Sequence, residues 1–303
     1  MSVSDLKKIA FRVLLLLLLL IIVDNLFGIC FSFLKKNAKG GSTENCEYIA
    51  NKCKEDIIVL GSSRATHHYN PYIISDSLDR SCYNCGEEGN GIILAYGRYK
   101  LLTSRYKPQL VIYELTPEYD YLEYEPNVKY LGYLRPYSNN SDIRSLLLTF
   151  GGKYEKYLLI SNMYRNTSRL LANVLDNITC RPNNQGYSPL YKTMTVSTGS
   201  SSIMELPIDS LKLKCFEQLL KDSKIDSVSL VVVVSPIYED HITNESYDIA
   251  KRICNEYDIP FYDFRNMDGI TNDASFFQDK RHMNIHGADK YTSSIIKYID
   301  RWK

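Results

Sequence analysis

Charge of one sign is missing from this chain: 36 Lys and Arg stand against 35 Asp and Glu, a net charge of +1 over 303 residues. That balance excludes a basic nucleic-acid binder, because neutralising a phosphate backbone takes a Lys/Arg excess or stripe. Glycine and proline are modest at 15 and 10, which excludes collagen-like and low-complexity linker chains. Disorder is excluded as well, since 45% of the residues are hydrophobic and can offset the entropy of ordering. Tryptophan is nearly absent, with one residue, whereas tyrosine supplies 25 and phenylalanine 10. A polar tip on an apolar ring suits tyrosine to wet surfaces such as sugar-binding clefts. There is no internal repeat, and the length suits one large domain or two modest ones.

What is present begins with one long apolar block, Ile9 to Leu34, interrupted by Arg12, Asp24 and Asn25 and centred on seven consecutive leucines ending at Leu20. About 20 apolar residues carry a helix across the hydrocarbon core, and the block supplies them with Asp24 near the outer interface. A cleaved signal peptide competes, but no small-x-small cleavage site follows the leucines. A buried core helix would not be so leucine-pure at a terminus. The expectation is a single-pass signal anchor over residues 1–40 in the inner (cytoplasmic) membrane, followed by one domain over residues 41–303. Lys7, Lys8 and Arg12 precede the block and Lys35, Lys36 and Lys39 follow it, so the positive-inside comparison is nearly a tie. A short tail before one anchor usually stays in the cytoplasm, which places the domain in the periplasm or outside the cell.

Seven cysteines lie beyond the anchor: Cys46, Cys53, Cys82, Cys85, Cys180, Cys215 and Cys254. Cys46 and Cys53 are spaced for a local bridge, and the odd total leaves at least one free thiol. Cys82-x-x-Cys85 has no second pair at matching spacing, so a zinc knuckle or redox pair lacks support. These read as buried cysteines in and beside a strand.

From residue 56 strands alternate with helices. Asp56–Leu60 is a short apolar strand ending at Gly61. Pro71–Leu78 is a helix with Asn70 as cap and Pro71 at its first position. Ser81–Cys85 is a strand, Gly86–Gly91 a turn, Ile92–Tyr106 a helix and Gln109–Leu115 a β-branched strand. Residues 116–205 break the rhythm, Tyr- and Asn-rich with helical pieces near Ser141–Phe150 and Tyr154–Val174, and read as a largely helical insertion, a lid or subdomain. A helix at Asp209–Lys221, the strand Ser229–Val234, a helix at Asn244–Tyr257, a strand at Pro260–Asp263 and a last helix from about Gly287 to Arg301 complete the chain. Continuous apolar strands separated by helices imply an α/β fold, a three-layer α/β/α sandwich around a central parallel sheet. Ligands bind such sheets at the carboxyl ends of the strands.

Three segments meet at that edge. Gly61-Ser62-Ser63-Arg64-Ala65 follows the first strand and exposes a hydroxyl beside its own N–H. Asn84-Cys85-Gly86-Glu87-Glu88-Gly89-Asn90-Gly91 follows the second strand, and its glycines allow a backbone N–H to approach an oxyanion. Asp279-Lys280-Arg281-His282-Met283-Asn284-Ile285-His286-Gly287 opens the last helix. An Asp three residues before a His can hold one imidazole nitrogen while the other faces the site as a base. An Asp and two His are also metal-ligand types, but no further partner has the spacing.

Together these segments resemble the SGNH (GDSL-like) hydrolase family over roughly residues 55–115 and 225–300. The family's Gly-Asp-Ser block is similar to Gly61-Ser62-Ser63, with Ser62 where Asp is usual. The resemblance makes Ser63 the nucleophile. Asn-x-Gly-x-x-Gly matches Asn84 to Gly89 and implies the N–H groups of Ser63 and Gly89 as oxyanion donors. Asp-x-x-His followed by Asn-x-x-Gly matches Asp279, His282, Asn284 and Gly287. The family's Gly-x-Asn-Asp after the third strand is absent, replaced by Glu114-Leu115-Thr116-Pro117-Glu118. Asn90, Asn162, Asn284 and Arg64 are the candidates for substrate or oxyanion support, Arg64 having a salt bridge as its competing role. His67 and His68 read as surface or packing residues, and Arg135-Pro136-Tyr137 with Tyr164-Arg165-Asn166 as candidate cleft residues in the insertion.

The family resemblance implies a flavodoxin-like sheet and a Ser63–His282–Asp279 acyl-transfer mechanism with no metal or organic cofactor. With the anchor, it implies an esterase or O-acyltransferase acting on acyl, foremost acetyl, esters of cell-envelope or exopolysaccharide glycans. The expected partners are the acylated glycan, the membrane through the N-terminal helix, and polysaccharide-biosynthesis proteins, with no nucleic acid. The alternative is a catalytically weak protein of the same fold that binds glycan or a biosynthetic partner, and a cytoplasm-facing lipid thioesterase is the third reading.

Overall fold

Short β-branched apolar runs, each bounded by a turn residue, set the frame. In the computed structural model, which describes residues 2–195, 203–239 and 242–302, they form five strands: β1 Ile57–Gly61, β2 Cys82–Asn84, β3 Leu110–Glu114, β4 Ser229–Val234 and β5 Phe261–Asp263. All neighbours pair in parallel, in the order β2-β1-β3-β4-β5. In register, Gly61 lies opposite Glu114, and Glu114 opposite Val233. The order reverses at β1, so the crevice beyond the carboxyl ends of β1 and β3 is where such a sheet takes a ligand.

β1 through β4 are buried almost throughout, as continuous apolar runs covered on both faces require. The helices Ser63–His68, Pro71–Leu78 and Ile285–Ile299 pack together, and Ile92–Thr103 packs with Ser210–Ile225. One core joins Ile57, Val59, Ile112, Val231 and Val233 of the sheet to Tyr69, Ile74, Tyr291 and Ile295 of the first helix group. This is the three-layer α/β/α arrangement.

The expected elements are present, with ends shifted by identifiable side chains. Asn70 caps Pro71–Leu78, accepting from the Tyr72 N–H, and Asp209 caps Ser210–Ile225 through the N–H groups of Leu211 and Lys212. The last helix starts at Ile285 rather than Gly287, because the Asn284 side chain accepts from the Gly287 N–H and so opens the helix two residues earlier. The single helix expected over Tyr154–Val174 is three, Glu155–Leu158, Asn162–Thr167 and Leu170–Thr179. The Ser161 hydroxyl accepts from the Tyr164 N–H and starts the second.

The chain packs as two compact units. One comprises residues 1–47 and 132–182, the other residues 48–131 and 183–303. The expected insertion, 116–205, therefore contributes its middle to the first unit and its flanks to the sheet unit, and residues 196–202 of it lie outside the described residues. In the first unit the helix Val3–Lys36 is capped at Ser2 with Asp5 in a reciprocal box, and carries Lys35 and Lys36 in its last turn. It is long and apolar enough to cross a membrane. Asp24, an interruption in the apolar run, has a specific partner: its carboxylate accepts from the Asn162 and Met163 N–H groups at 2.8 and 2.9 Å and from the Ser161 hydroxyl at 2.6 Å. It sits at the N-terminus of Asn162–Thr167, where a negative charge is favourable.

All eight cysteines are free. The bridge that the Cys46/Cys53 spacing allows is not formed; Cys53 is fully buried with its sulfur 3.5 Å from the Tyr106 hydroxyl. Cys82 and Cys85 are buried in and beside β2, as expected.

Candidate active site

Ser63 is the first residue of the short helix that leaves β1, so its position is set by the strand end and its side chain is only partly covered. Its Oγ lies 2.8 Å from His282 Nε2. His282 Nδ1 is 3.0 Å from both carboxylate oxygens of Asp279. Asp279 Oδ1 also accepts the N–H groups of Arg281 and His282 at 2.8 and 2.9 Å. Partial burial works against the charged carboxylate, but its hydrogen bond with His282 and these backbone donors hold the Asp279 pKa below its ordinary value. An ionised Asp279 takes a proton donor on Nδ1, which leaves Nε2 with its lone pair toward the serine. Among the described residues no group of three His, Cys, Asp or Glu stands ready for a metal.

The turn after β2 is built against this helix. A Cβ on Gly86 would lie 2.7 Å from the Thr66 nitrogen and 2.8 Å from the Ala65 side chain, so only glycine permits the approach. Arg98 clamps the turn from below, donating to the carbonyls of Cys85 and Gly86 and pairing with Glu87. His67 Nε2 reaches Glu88 at 3.0 Å, and its Nδ1 reaches the Ser188 carbonyl. Gly89 has a φ of +62° with open space where a Cβ would point, and its N–H has no acceptor among the described residues. Asn84 is consumed in bracing: it donates to the carbonyls of Ala65 and Tyr69 and accepts from the Gly86 N–H.

Beneath the site runs a buried network that the sequence reading did not single out. Glu114, at the end of β3, accepts from the hydroxyl of Tyr69, from the N–H and hydroxyl of Ser235, and pairs with Arg64 Nε at 3.1 Å. Burial pushes the Glu114 pKa up, against the pull of Arg64. Ser235 Oγ is 2.7 Å from His68 Nδ1, and His68 Nε2 accepts the Met283 N–H at 2.9 Å. Met283 follows His282, so the network ties the histidine-bearing loop to the strand ends. The only sequence signal was the histidine at position 68 and the acidic residue closing an apolar strand.

His68 is fully buried. That burial, with the charges of His282, Arg64 and His67, holds its pKa well below the ordinary value, so it is neutral. The unfolded chain takes up a proton at this position near pH 6.5 and the folded chain does not. Its contribution to stability is therefore complete above about pH 6.5 and falls below it by up to about 1.4 kcal/mol per pH unit. His68→Gln removes that dependence. In urea unfolding, the stability gap between parent and variant is expected to narrow from pH 7.5 to pH 5; a gap that stays constant would mean that His68 is protonated in the fold.

The other candidates go elsewhere. Arg64 is buried and paired with Glu114, donating also to the Leu115 carbonyl and the Thr116 hydroxyl, so the salt-bridge role is the one observed. Asn284 is a helix cap whose amide also donates to the Ser275 carbonyl. Asn90 is buried and donates to the Glu88 carbonyl within its own turn. Asn162 belongs to the first unit, where its amide donates to Asp24 and accepts from Arg165. Arg135 and Tyr164 of the same unit both bind Glu155. His67 and His68 are packing residues, buried rather than on the surface. Ser62, where the family has Asp, bonds Thr116 across the strand ends at 2.8 Å, and Arg281 beside His282 pairs with buried Glu118.

No protein-family model matches the chain, and no curated protein matches it. Among solved structures it is similar to a protein assigned to the lipolytic G-D-S-L family from Desulfitobacterium hafniense DCB-2, at 10% identity and a TM-score of 0.41, covering 82% of this chain and 99% of that one. At that distance the likeness carries no residue, and the site stands on its own geometry.

Proposed function

We propose that this protein is a membrane-anchored serine esterase or O-acyltransferase. The observation that carries the reading is the Ser63 Oγ–His282 Nε2 contact of 2.8 Å with Asp279 on the opposite ring nitrogen. His282 accepts the Ser63 proton as the oxygen attacks an ester carbonyl carbon. The N–H groups of Ser63 and Gly89 receive the developing oxyanion. Collapse expels the alcohol, protonated by His282, and leaves an acyl-serine. Water or a sugar hydroxyl, deprotonated by the same imidazole, then takes the acyl group. Asp279 orients the ring and stabilises its charged form. The side-chain donor that the family takes from its third block is missing from its place after β3, where Glu114-Leu115-Thr116 stands, and losing one such donor costs ~100–1000-fold in rate. Turnover is therefore expected to be modest.

The substrate class we infer is acyl, foremost acetyl, esters of cell-envelope or exopolysaccharide glycans, on the strength of the apolar N-terminal helix, the tyrosine-rich composition and the family resemblance. A fluorophosphonate probe tests the chemistry. Labelling of Ser63 in the full chain, lost in Ser63→Ala and His282→Ala, is expected. A folded chain that takes no label would turn the reading to a glycan- or partner-binding protein of this fold, and a label on another serine would move the site.

A further inference from the structure

In the first unit the side chains of the helix Val3–Lys36 are exposed from Val3 to Val23, and partial burial begins at Asp24. The near end of that stretch carries Asp5, Lys7, Lys8 and Arg12, so the uncharged part before Asp24, Val13 to Val23, is roughly 16 Å long, and Leu26, Ile29 and Phe33 beyond Asp24 are exposed as well. With Asp24 read as lying near the outer interface, its hydrogen bonds to Ser161, Asn162 and Met163 bring their segment to the same level.

The segment leading to that contact carries aliphatic and aromatic side chains on its exposed side. Glu155 points inward, buried and bound to Arg135 and Tyr164. Leu159 is buried, whereas Ile160 is 75% exposed and Leu158 and Met163 are exposed beside it. Tyr154, Tyr157 and Leu158 follow one another at i, i+3 and i+4, and both tyrosines are about 60% exposed. Lys153 and Lys156 lie over the Tyr154 and Tyr157 rings at 4.9 and 4.8 Å. Aliphatic side chains beside tyrosines and lysines are the composition of a lipid–water interface: the rings sit at headgroup level and the ammonium groups meet anionic phosphates.

We propose that residues 153–163 form a second, peripheral membrane contact, with Leu158, Ile160 and Met163 entering the lipid surface and Tyr154, Tyr157, Lys153 and Lys156 engaging anionic phospholipid headgroups. The inference rests on the reading of Val3–Lys36 as a membrane-spanning helix. It makes the membrane a ligand of this helical unit, held at two points rather than one, so the unit is fixed in tilt as well as tethered.

The single tryptophan of the chain makes the test direct. In a Trp302→Phe background, the full chain carrying Leu18→Trp, Ile160→Trp or Lys36→Trp is reconstituted into vesicles of phosphatidylglycerol with or without bromine on the acyl chains. Lys36 lies about 18 Å along the helix beyond Asp24 and serves as the control above the surface. Loss of fluorescence in brominated lipid is expected at positions 18 and 160 and not at 36. Quenching at 18 without quenching at 160 would overturn the proposal while leaving the anchor intact. No quenching at 18 would overturn the anchor and the proposal together. The Ile160 side chain is largely in solvent in the isolated fold, so the substitution leaves folding undisturbed.

Discussion

Replacing His282 by alanine is expected to lower ester hydrolysis about 10,000-fold or more, with little change in KM. A serine hydroxyl is a weak nucleophile at neutral pH, and among the described residues the base within reach of Ser63 Oγ is His282 Nε2 at 2.8 Å. Members of such a triad act as a unit, so losing the base alone forfeits most of what the triad supplies and leaves the contribution of the oxyanion donors and binding. Asp279→Asn is expected to cost a similar factor by a different route. The carboxamide offers an N–H to Nδ1, forces the proton onto Nε2, and points a donor at the serine instead of an acceptor. Turnover of p-nitrophenyl acetate by the purified full chain, with labelling by the fluorophosphonate in parallel, measures both. A His282→Ala chain that hydrolyses at the parental rate would sink the assignment of the base, and an unaffected Asp279→Asn would show that the ring is oriented by something other than Asp279.

The second large effect concerns stability. Arg64 and Glu114 are 2% and 0% exposed, and their ion pair sits directly under the strand-to-helix turn that carries Ser63. Breaking a buried pair by removing one partner costs about 3–5 kcal/mol, because the other is left as an uncompensated buried charge, whereas neutralising both partners costs much less. Arg64→Met is therefore expected to lose about 3–5 kcal/mol in urea unfolding. The double variant Arg64→Met/Glu114→Gln is expected to recover most of it, since a neutral amide keeps contact with Ser235 and Tyr69 without carrying charge. A loss below about 1 kcal/mol for the single variant would be the value of a solvent-exposed pair and would contradict the burial. No recovery in the double variant would place the effect in lost packing of the arginine stem.

The reach of local pattern is clearest at the strands. Ile57–Gly61, Leu110–Glu114 and Ser229–Val234 are continuous β-branched runs, and a buried parallel strand leaves that signature because both of its faces must be apolar. Asn70 was equally visible, since a cap acts within three residues of itself. The two acidic groups tied to the site differ for the same reason. Asp279 is three residues from its histidine and could be read from spacing. Glu114 looked like the missing piece of a motif, and its role emerges only with Tyr69, Arg64 and Ser235 around it. Asn162 shows the opposite failure: a plausible donor by residue type, it is occupied by Asp24, 138 residues away.

By itself, then, the sequence determined the strands and the longer helices around them, the parallel α/β class, the anchor-like helix and the order of the three segments at the sheet edge, because each is written in contacts within a few residues or in the periodicity of burial. Only the tertiary structure decided that the strands order as β2-β1-β3-β4-β5, that Ser63 meets a histidine 219 positions away, that His68 and Glu114 hold the loop behind it, and that Asp24 has a partner. Periodicity tells which face of an element is buried, whereas the partner across that face is chosen by packing and by the demand that every buried polar group find a hydrogen bond.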